Sequence, residues 1–315
     1  MPRFDTVSLL TDYGTADEFV GLVKAVIRDI APHVGVIDLT HEIPPYDVRA
    51  GSLALARCIG YLPSGVVMAV VDPGVATTRR AVAIEVAGGN GVVIGPDNGL
   101  LAPAVAMAGG AERAVELTNP EYQLAAPGAT FAGRDVFAPA AAHICNGVDL
   151  SELGPDVDAA LLLPATVPLP RDDGDAVVAE VLWVDRFGNC QLNVGPDDLP
   201  AAWADDLKVR IGTPTEVGAG MGPGMSPGMS PGMSPGMSQG IVRHVVRVSS
   251  FAALGPGQPG LVLDSYGMLA LCLDRRSAAD ELGLAAGDQV VLATGDDAPS
   301  GVTTTVALGP RRDDR

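Results

Sequence analysis

Two side chains of opposite charge, Asp72 and Arg79, stand seven residues apart in the stretch D-P-G-V-A-T-T-R-R, which follows an apolar run ending at Val71. A loop of that length between strands can fold back and set guanidinium against carboxylate. The arginine fork holds a carboxylate rigidly. A carboxylate so held can orient a small polar molecule or accept a proton from it. The same two residues would also serve as an ion pair on a surface or between domains, and spacing alone leaves both readings open. Two other polar clusters, residues 11–15 and 40–47, also follow apolar runs. The histidines His33, His41, His143 and His244 show no metal-ligand spacing, and Cys58, Cys145, Cys190 and Cys272 form no C-x-x-C pair. We therefore expect no metal site and read the cysteines as reduced and inert.

The elements that must position these residues follow from periodicity. Residues 6–10 form a β-type run, and residues 18–30 carry apolar side chains at Phe19, Val20, Val23, Val26, Ile27 and Ile30, a helical spacing that stops near Pro32. Strands are expected at 34–39, 65–71, 81–86 and 91–94, and helices at 48–59 and 136–144. Strand, helix, strand, helix, strand describes an α/β layered domain. In open sheets of this class ligands bind beyond the carboxyl ends of the strands, where the three polar clusters fall. This N-terminal domain is assigned residues 1–165, and P-L-P-R-D-D-G-D marks a linker within 166–176. Residues 177–306 read as a smaller β-rich, barrel-like domain, with strands at 207–211, 241–248, 261–263, 269–273 and 289–292 and one short helix at 278–282. The repeat G-P-G-M-S-P-G-M-S within 218–240 precludes a regular helix or a central strand and reads as an extended, disordered surface loop.

The 315 residues are 47% apolar and 18% charged, which is globular composition. The 38 acidic and 20 basic side chains leave a net charge of -18, a field that disfavours nucleic acid and anionic membranes as partners. The N-terminus has no signal-peptide architecture, and no apolar stretch reaches the roughly 18–20 residues needed to span a bilayer. A soluble, cytoplasmic protein is expected.

Seven motifs appear in order: LLTDYG (9–14), DLTHEI (38–43), VVDPGV (70–75), GPDNGLL (95–101), GRDVFAPAAAH (133–143), VDRFGN (184–189) and DSYGMLAL (264–271). Together they resemble the S-adenosyl-L-methionine hydroxide adenosyltransferases, relatives of the fluorinating and chlorinating enzymes. The resemblance covers residues 5–292, with the Met/Pro/Gly repeat as an insertion. It implies a homotrimer whose substrate lies between the N-terminal domain of one subunit and the C-terminal domain of its neighbour. It also implies hydrolysis of S-adenosyl-L-methionine at C5′, giving adenosine and L-methionine with no cofactor.

The resemblance further assigns roles. Asp72 and Arg79 match two members of an Asp-Arg-His set that positions and polarises water. The third is absent, because the family reads FHGRD where this chain has Phe131-Ala132-Gly133-Arg134-Asp135. Asp12 matches the carboxylate that grips the ribose hydroxyls, and Tyr46 an aromatic near the sugar or base. Asp185 matches a residue binding the methionine ammonium, Asn189 one reading the adenine edge, and Phe251 one packing on adenine. Ser265 and Tyr266 occupy the carboxylate-binding stretch. A halogenase is disfavoured, since Asp72 replaces its tyrosine and Val75 its threonine. With Ala132 at the histidine position, a catalytically impaired protein that still binds S-adenosyl-L-methionine or adenosine is the alternative.

Overall fold

The computed structural model describes residues 2–200, 203, 206–211 and 241–294. The Met/Pro/Gly segment 218–240 and the last stretch of the second domain, 295–306, lie outside the described residues. The chain divides into two compact units, Met1–Val167 and Pro168–Arg315.

The first unit runs β1 (Thr6–Thr11), α1 (Phe19–Ile30), β2 (Gly35–Thr40), α2 (Val48–Ile59), β3 (Gly65–Val70), β4 (Ala81–Val86), β5 (Gly91–Pro96), α3 (Ala102–Met107) and β6 (Arg113–Glu116). A π-helical turn, Gly133–Phe137, then leads into α4 (Ala138–Cys145) and α5 (Leu150–Leu153). The sheet order is β2-β1-β3-β5-β4-β6. The first four strands in that order are parallel, whereas β4 runs antiparallel to both β5 and β6. Alternation on β3 shows why the sheet has two covered faces. Val66, Met68 and Val70 pack with α1 residues Val23 and Ile27 and with Ile144 of α4. Val67 and Ala69 join the opposite core with Leu55 of α2 and Val105 of α3. A strand buried on both faces reads as a continuous apolar run, as G-V-V-M-A-V does.

The chain leaves β1 toward β2 on one side and returns to β3 on the other. The carboxyl ends of β1 and β3 therefore flank the switch point of the sheet, where open α/β folds open a crevice. Asp12 directly follows β1, and Asp72 lies two residues beyond β3.

The helix expected over 136–144 begins earlier, as the π turn. Pro139 has no N–H, and its ring would clash with the carbonyl four residues back in an α-helix. The wider turn relieves that clash, and the Asp135 carbonyl accepts from Leu124 N–H instead, at 2.9 Å.

The second unit contains β7 (Arg171–Asp172), β8 (Ala176–Val184), β9 (Cys190–Leu192), β10 (Asp206–Ile211), β11 (Ile241–Val248), β12 (Gly260–Leu263), β13 (Leu269–Cys272), α6 (Ala278–Leu282) and β14 (Gln289–Ala293). Seven strands close a barrel in the order β8-β14-β10-β11-β12-β13-β9, with β7 appended to β8. Val181, Leu192, Val209, Val245, Leu261, Leu271 and Val290 fill its core. The stretch read as a linker thus includes a strand paired with Val177 and Val178.

Candidate active site

Two cavities are each lined within a single unit. In the first unit, Asp12, Tyr13, Phe19, Tyr46, Asp72, Val75, Phe131 and Ala132 line one cavity of about 320 Å³. Arg79 stands behind Asp72. Its Nε donates to Asp72 Oδ1 at 2.8 Å and its Nη2 to Oδ2, a bidentate pair. Both side chains are largely buried, at 6% exposure for Asp72 and 14% for Arg79. The Arg79 guanidinium also lies 5.5 Å from the centre of the Phe137 ring. The loop expected to fold these residues face to face does so.

The strand after this loop is anchored by Asp97 and Asn98 in G-P-D-N-G. The Asp97 carboxylate takes Arg80 Nε at 2.9 Å and Nη2 at 2.6 Å, and Asp97 N–H donates to the Arg80 carbonyl at 2.9 Å. Asn98 Nδ2 donates to the Val71 carbonyl at 2.9 Å, immediately before Asp72. Two adjacent residues thus hold both ends of the Asp72–Arg79 loop.

Asp12 Oδ2 accepts the backbone N–H of Tyr46 at 2.9 Å. Tyr46 sits at φ 70°, an unusual conformation for a residue with a side chain, and its ring is exposed. Behind this turn runs a polar chain. Tyr13 N–H donates to Thr11 Oγ1, and Thr11 Oγ1 lies 2.9 Å from His41 Nδ1. His41 Nε2 lies 3.0 Å from Asp38, which also receives Lys24 at 2.6 Å. Burial raises the Asp38 pKa, but the bonds from Lys24 and His41 outweigh it and hold the carboxyl below its ordinary range. An Nε2–H facing that carboxylate leaves Nδ1 to accept from the Thr11 hydroxyl.

In the barrel, Asn189 and Phe251 line a cavity of about 450 Å³ with Phe187, Leu273, Arg275, Arg276 and Ser277. Asp185 sits beneath it in the β8–β9 loop. Its Oδ1 accepts Phe187 N–H at 2.8 Å and Asn189 N–H at 2.9 Å, and its Oδ2 accepts Asn189 Nδ2 at 2.8 Å. Gly188 closes this loop at φ 83°, and a Cβ there would lie 2.1 Å from Ser277 Oγ. The β12–β13 loop repeats the design: Asp264 Oδ1 accepts Tyr266 and Met268 N–H, with Gly267 at φ 81°. Ser265 and Tyr266 belong to that second loop and do not line the cavity shared by Asn189 and Phe251.

The structure therefore gathers Asp12, Tyr46, Asp72, Arg79 and Ala132 on one unit and Asn189 and Phe251, with Asp185 below them, on the other. Sequence reasoning missed Tyr13, Asp97, Asn98 and the 273–277 segment. Tyr13, Asp97 and Asn98 lie inside quoted motifs, but nothing in their spacing distinguishes a buttress from a turn residue. The segment 273–277 had no motif at all.

The family model for the N-terminal domain of SAM hydroxide adenosyltransferases matches residues 7–154. An (R)-S-adenosyl-L-methionine hydrolase from Salinispora tropica is 40% identical over 289 residues, covering 92% of this chain and 98% of that protein. The chain belongs to the SAM hydroxide adenosyltransferase family. A hydrolase of the same description from Thermus thermophilus is 38% identical over 91% of this chain and 98% of its own length. A fluorinase from Actinoplanes is more distant, at 28% identity over 62% of this chain. A crystal structure of a conserved Thermotoga maritima protein matches 91% of this chain and all of its own, with a TM-score of 0.76 and 29% identity. This agrees with the layered α/β unit and barrel described above. Among the described residues no helix is long and apolar enough to cross a membrane, and no group of three or more His, Cys, Asp or Glu side chains is placed to hold a metal ion.

Proposed function

We propose that this chain hydrolyses S-adenosyl-L-methionine at C5′, releasing adenosine and L-methionine. The observation that carries the reading is the buried, bidentate Asp72–Arg79 pair on the wall of a cavity that also presents Asp12. The sulfonium carbon is already activated, since a neutral thioether departs. Catalysis needs a water molecule in line behind C5′, few competing waters and a fixed ribose. As the water oxygen bonds to C5′, the C5′–S bond breaks and sulfur keeps the pair. The proton released by the water passes to Asp72 and then to solvent. Arg79 holds the carboxylate in one orientation throughout. Asp12 is assigned the ribose hydroxyls, with Tyr46 beside the sugar.

The barrel cavity is assigned the adenine ring. Asn189 uses Nδ2 to hold Asp185, which leaves Oδ1 to accept from the adenine amine, while Phe251 supplies a packing face. Asp185 Oδ2 carries a single hydrogen bond and has capacity left for the methionine ammonium. Ser265 and Tyr266 are assigned the methionine carboxylate. Assembly as a homotrimer in the cytoplasm belongs to the same reading, and sedimentation of the purified protein tests the trimer. S-Adenosyl-L-methionine is substrate, and the mechanism calls on no cofactor.

Incubation of the purified protein with S-adenosyl-L-methionine, without halide, should release adenosine and methionine in equal amounts. Asp72→Asn should lower kcat by roughly 10²–10⁴-fold, the usual contribution of a positioned proton acceptor. Failure of the unmodified protein to release either product would leave the impaired, ligand-binding alternative raised by Ala132.

A further inference from the structure

Ala132 contributes only a methyl group to the cavity wall, so its side chain offers water no hydrogen bond. Tyr13, Tyr46 and Thr130 line the same cavity with hydroxyl-bearing side chains, and the Tyr13 hydroxyl is set against Gly133, the residue after Ala132. The Tyr13 ring is fixed by edge contacts with Phe131, at 5.8 Å between centroids, and a tilted contact with Phe19, at 5.7 Å. Phe19 and Phe131 in turn meet edge to face at 5.0 Å, which closes an aromatic triangle. The Tyr13 hydroxyl rests on the Gly133 backbone. A Cβ at Gly133 would lie 2.3 Å from it, so only glycine admits the phenol at this depth. The Gly133 amide supports the oxygen, and no hydrogen bond from the Tyr13 O–H to another described side chain is present.

We propose that Tyr13 is a catalytic residue whose hydroxyl holds the attacking water against Asp72, in the place where Ala132 offers nothing. The proposal rests on the hydrolase reading. Asp72 accepts the proton that leaves the water as the O–C5′ bond forms, and Tyr13 keeps its own proton and only fixes the water oxygen. Its chemistry suits that part. Burial, and then the charges of Asp12 and Asp72, push the phenol well above its ordinary range against the opposing pull of Arg79 and the Gly133 amide. The group therefore stays a neutral donor at any pH at which the protein is handled.

The test compares steady-state hydrolysis by the unmodified protein, Tyr13→Phe, Ala132→His and the double variant, with adenosine affinity and Tm measured on each. Tyr13→Phe keeps the aromatic triangle and removes only the hydroxyl. We expect kcat to fall about tenfold or more with adenosine affinity within about threefold, the signature of an interaction made in the transition state. We further expect Ala132→His to restore a larger factor in the Tyr13→Phe background than in the unmodified protein, because an imidazole there takes over the same water. Unchanged kcat in Tyr13→Phe overturns the proposal and leaves the hydrolase reading intact. A loss matched by weaker adenosine binding and a lower Tm, with equal histidine effects in both backgrounds, also overturns it, since a structural role predicts that pattern. An unmodified protein that forms no adenosine overturns both readings together.

Discussion

Arg79 contributes geometry as much as charge. Its two parallel donors fix both oxygens of Asp72, and Phe137 limits the plane in which the guanidinium can lie. Lysine would keep the charge and lose the fork. Arg79→Lys is therefore expected to lower kcat by about 10–100-fold while KM moves much less, because a single ammonium lets the carboxylate rotate; initial rates over a substrate series check this. At this scale the sequence was legible wherever chemistry and spacing coincide. Asp72 and Arg79 could be paired because a short loop between strands leaves them little else to face, and Asp12 because a carboxylate directly after the first strand must point out of the sheet end. Tyr13 was not legible, because an aromatic next to Asp12 reads equally as core. Its role depends on Gly133, a residue 120 positions away. Ser265 and Tyr266, matched to the carboxylate-binding stretch, lie in the β12–β13 loop and not among the residues lining the cavity of Asn189 and Phe251.

The Asp72–Arg79 loop is held as an element by its neighbours rather than by its own turn. Asn98 grips the backbone just before it and Asp97 the backbone and side chain just after it. Removing either grip loosens the approach of Arg79 to Asp72 without touching the cavity. Asn98→Ala should lower kcat by about tenfold, in line with displacement of a catalytic group by a fraction of an ångström, and lower Tm by a few degrees through a lost, partly buried hydrogen bond of about 1 kcal/mol. Differential scanning calorimetry beside turnover separates the two effects. Strands and helices with clean periodicity, such as β3 and α1, were legible in the sequence. α3 was not, since A-P-A-V-A-M is apolar on every side and carries no helical stripe. β6 and β7, of four and two residues, are too short to show alternation. The π turn at Gly133–Phe137 escaped because Pro139 signals a helix start as readily as a disturbed helix.

For the whole molecule, the two-unit division was legible in the change from mixed to β-rich patterning near residue 170. Closure of the barrel was not, because strand order depends on pairings far apart in the chain. The cysteines give each unit its own sensor. Cys145 is buried in the α/β core, and Cys190 and Cys272 in the barrel, while Cys58 is half-buried. Burial pushes the first three up to about 12, so their reactive thiolate is suppressed while the fold is intact. Native protein treated with a thiol reagent at pH 8 should label first at Cys58, with the other three reacting only as denaturant opens their unit; peptide mapping along a urea series reports each unit separately. The barrel carries one more consequence. β14 pairs with both β10 and β8, so among the described residues the ring is joined at 289–293. The α/β unit has all its α-helices and sheet strands by residue 153. During translation the first unit can form in the order in which it leaves the ribosome. The barrel must wait, with the edges of β8 and β10 unpaired, for β14 to emerge. That interval is when neighbouring nascent chains have barrel strand edges to offer one another.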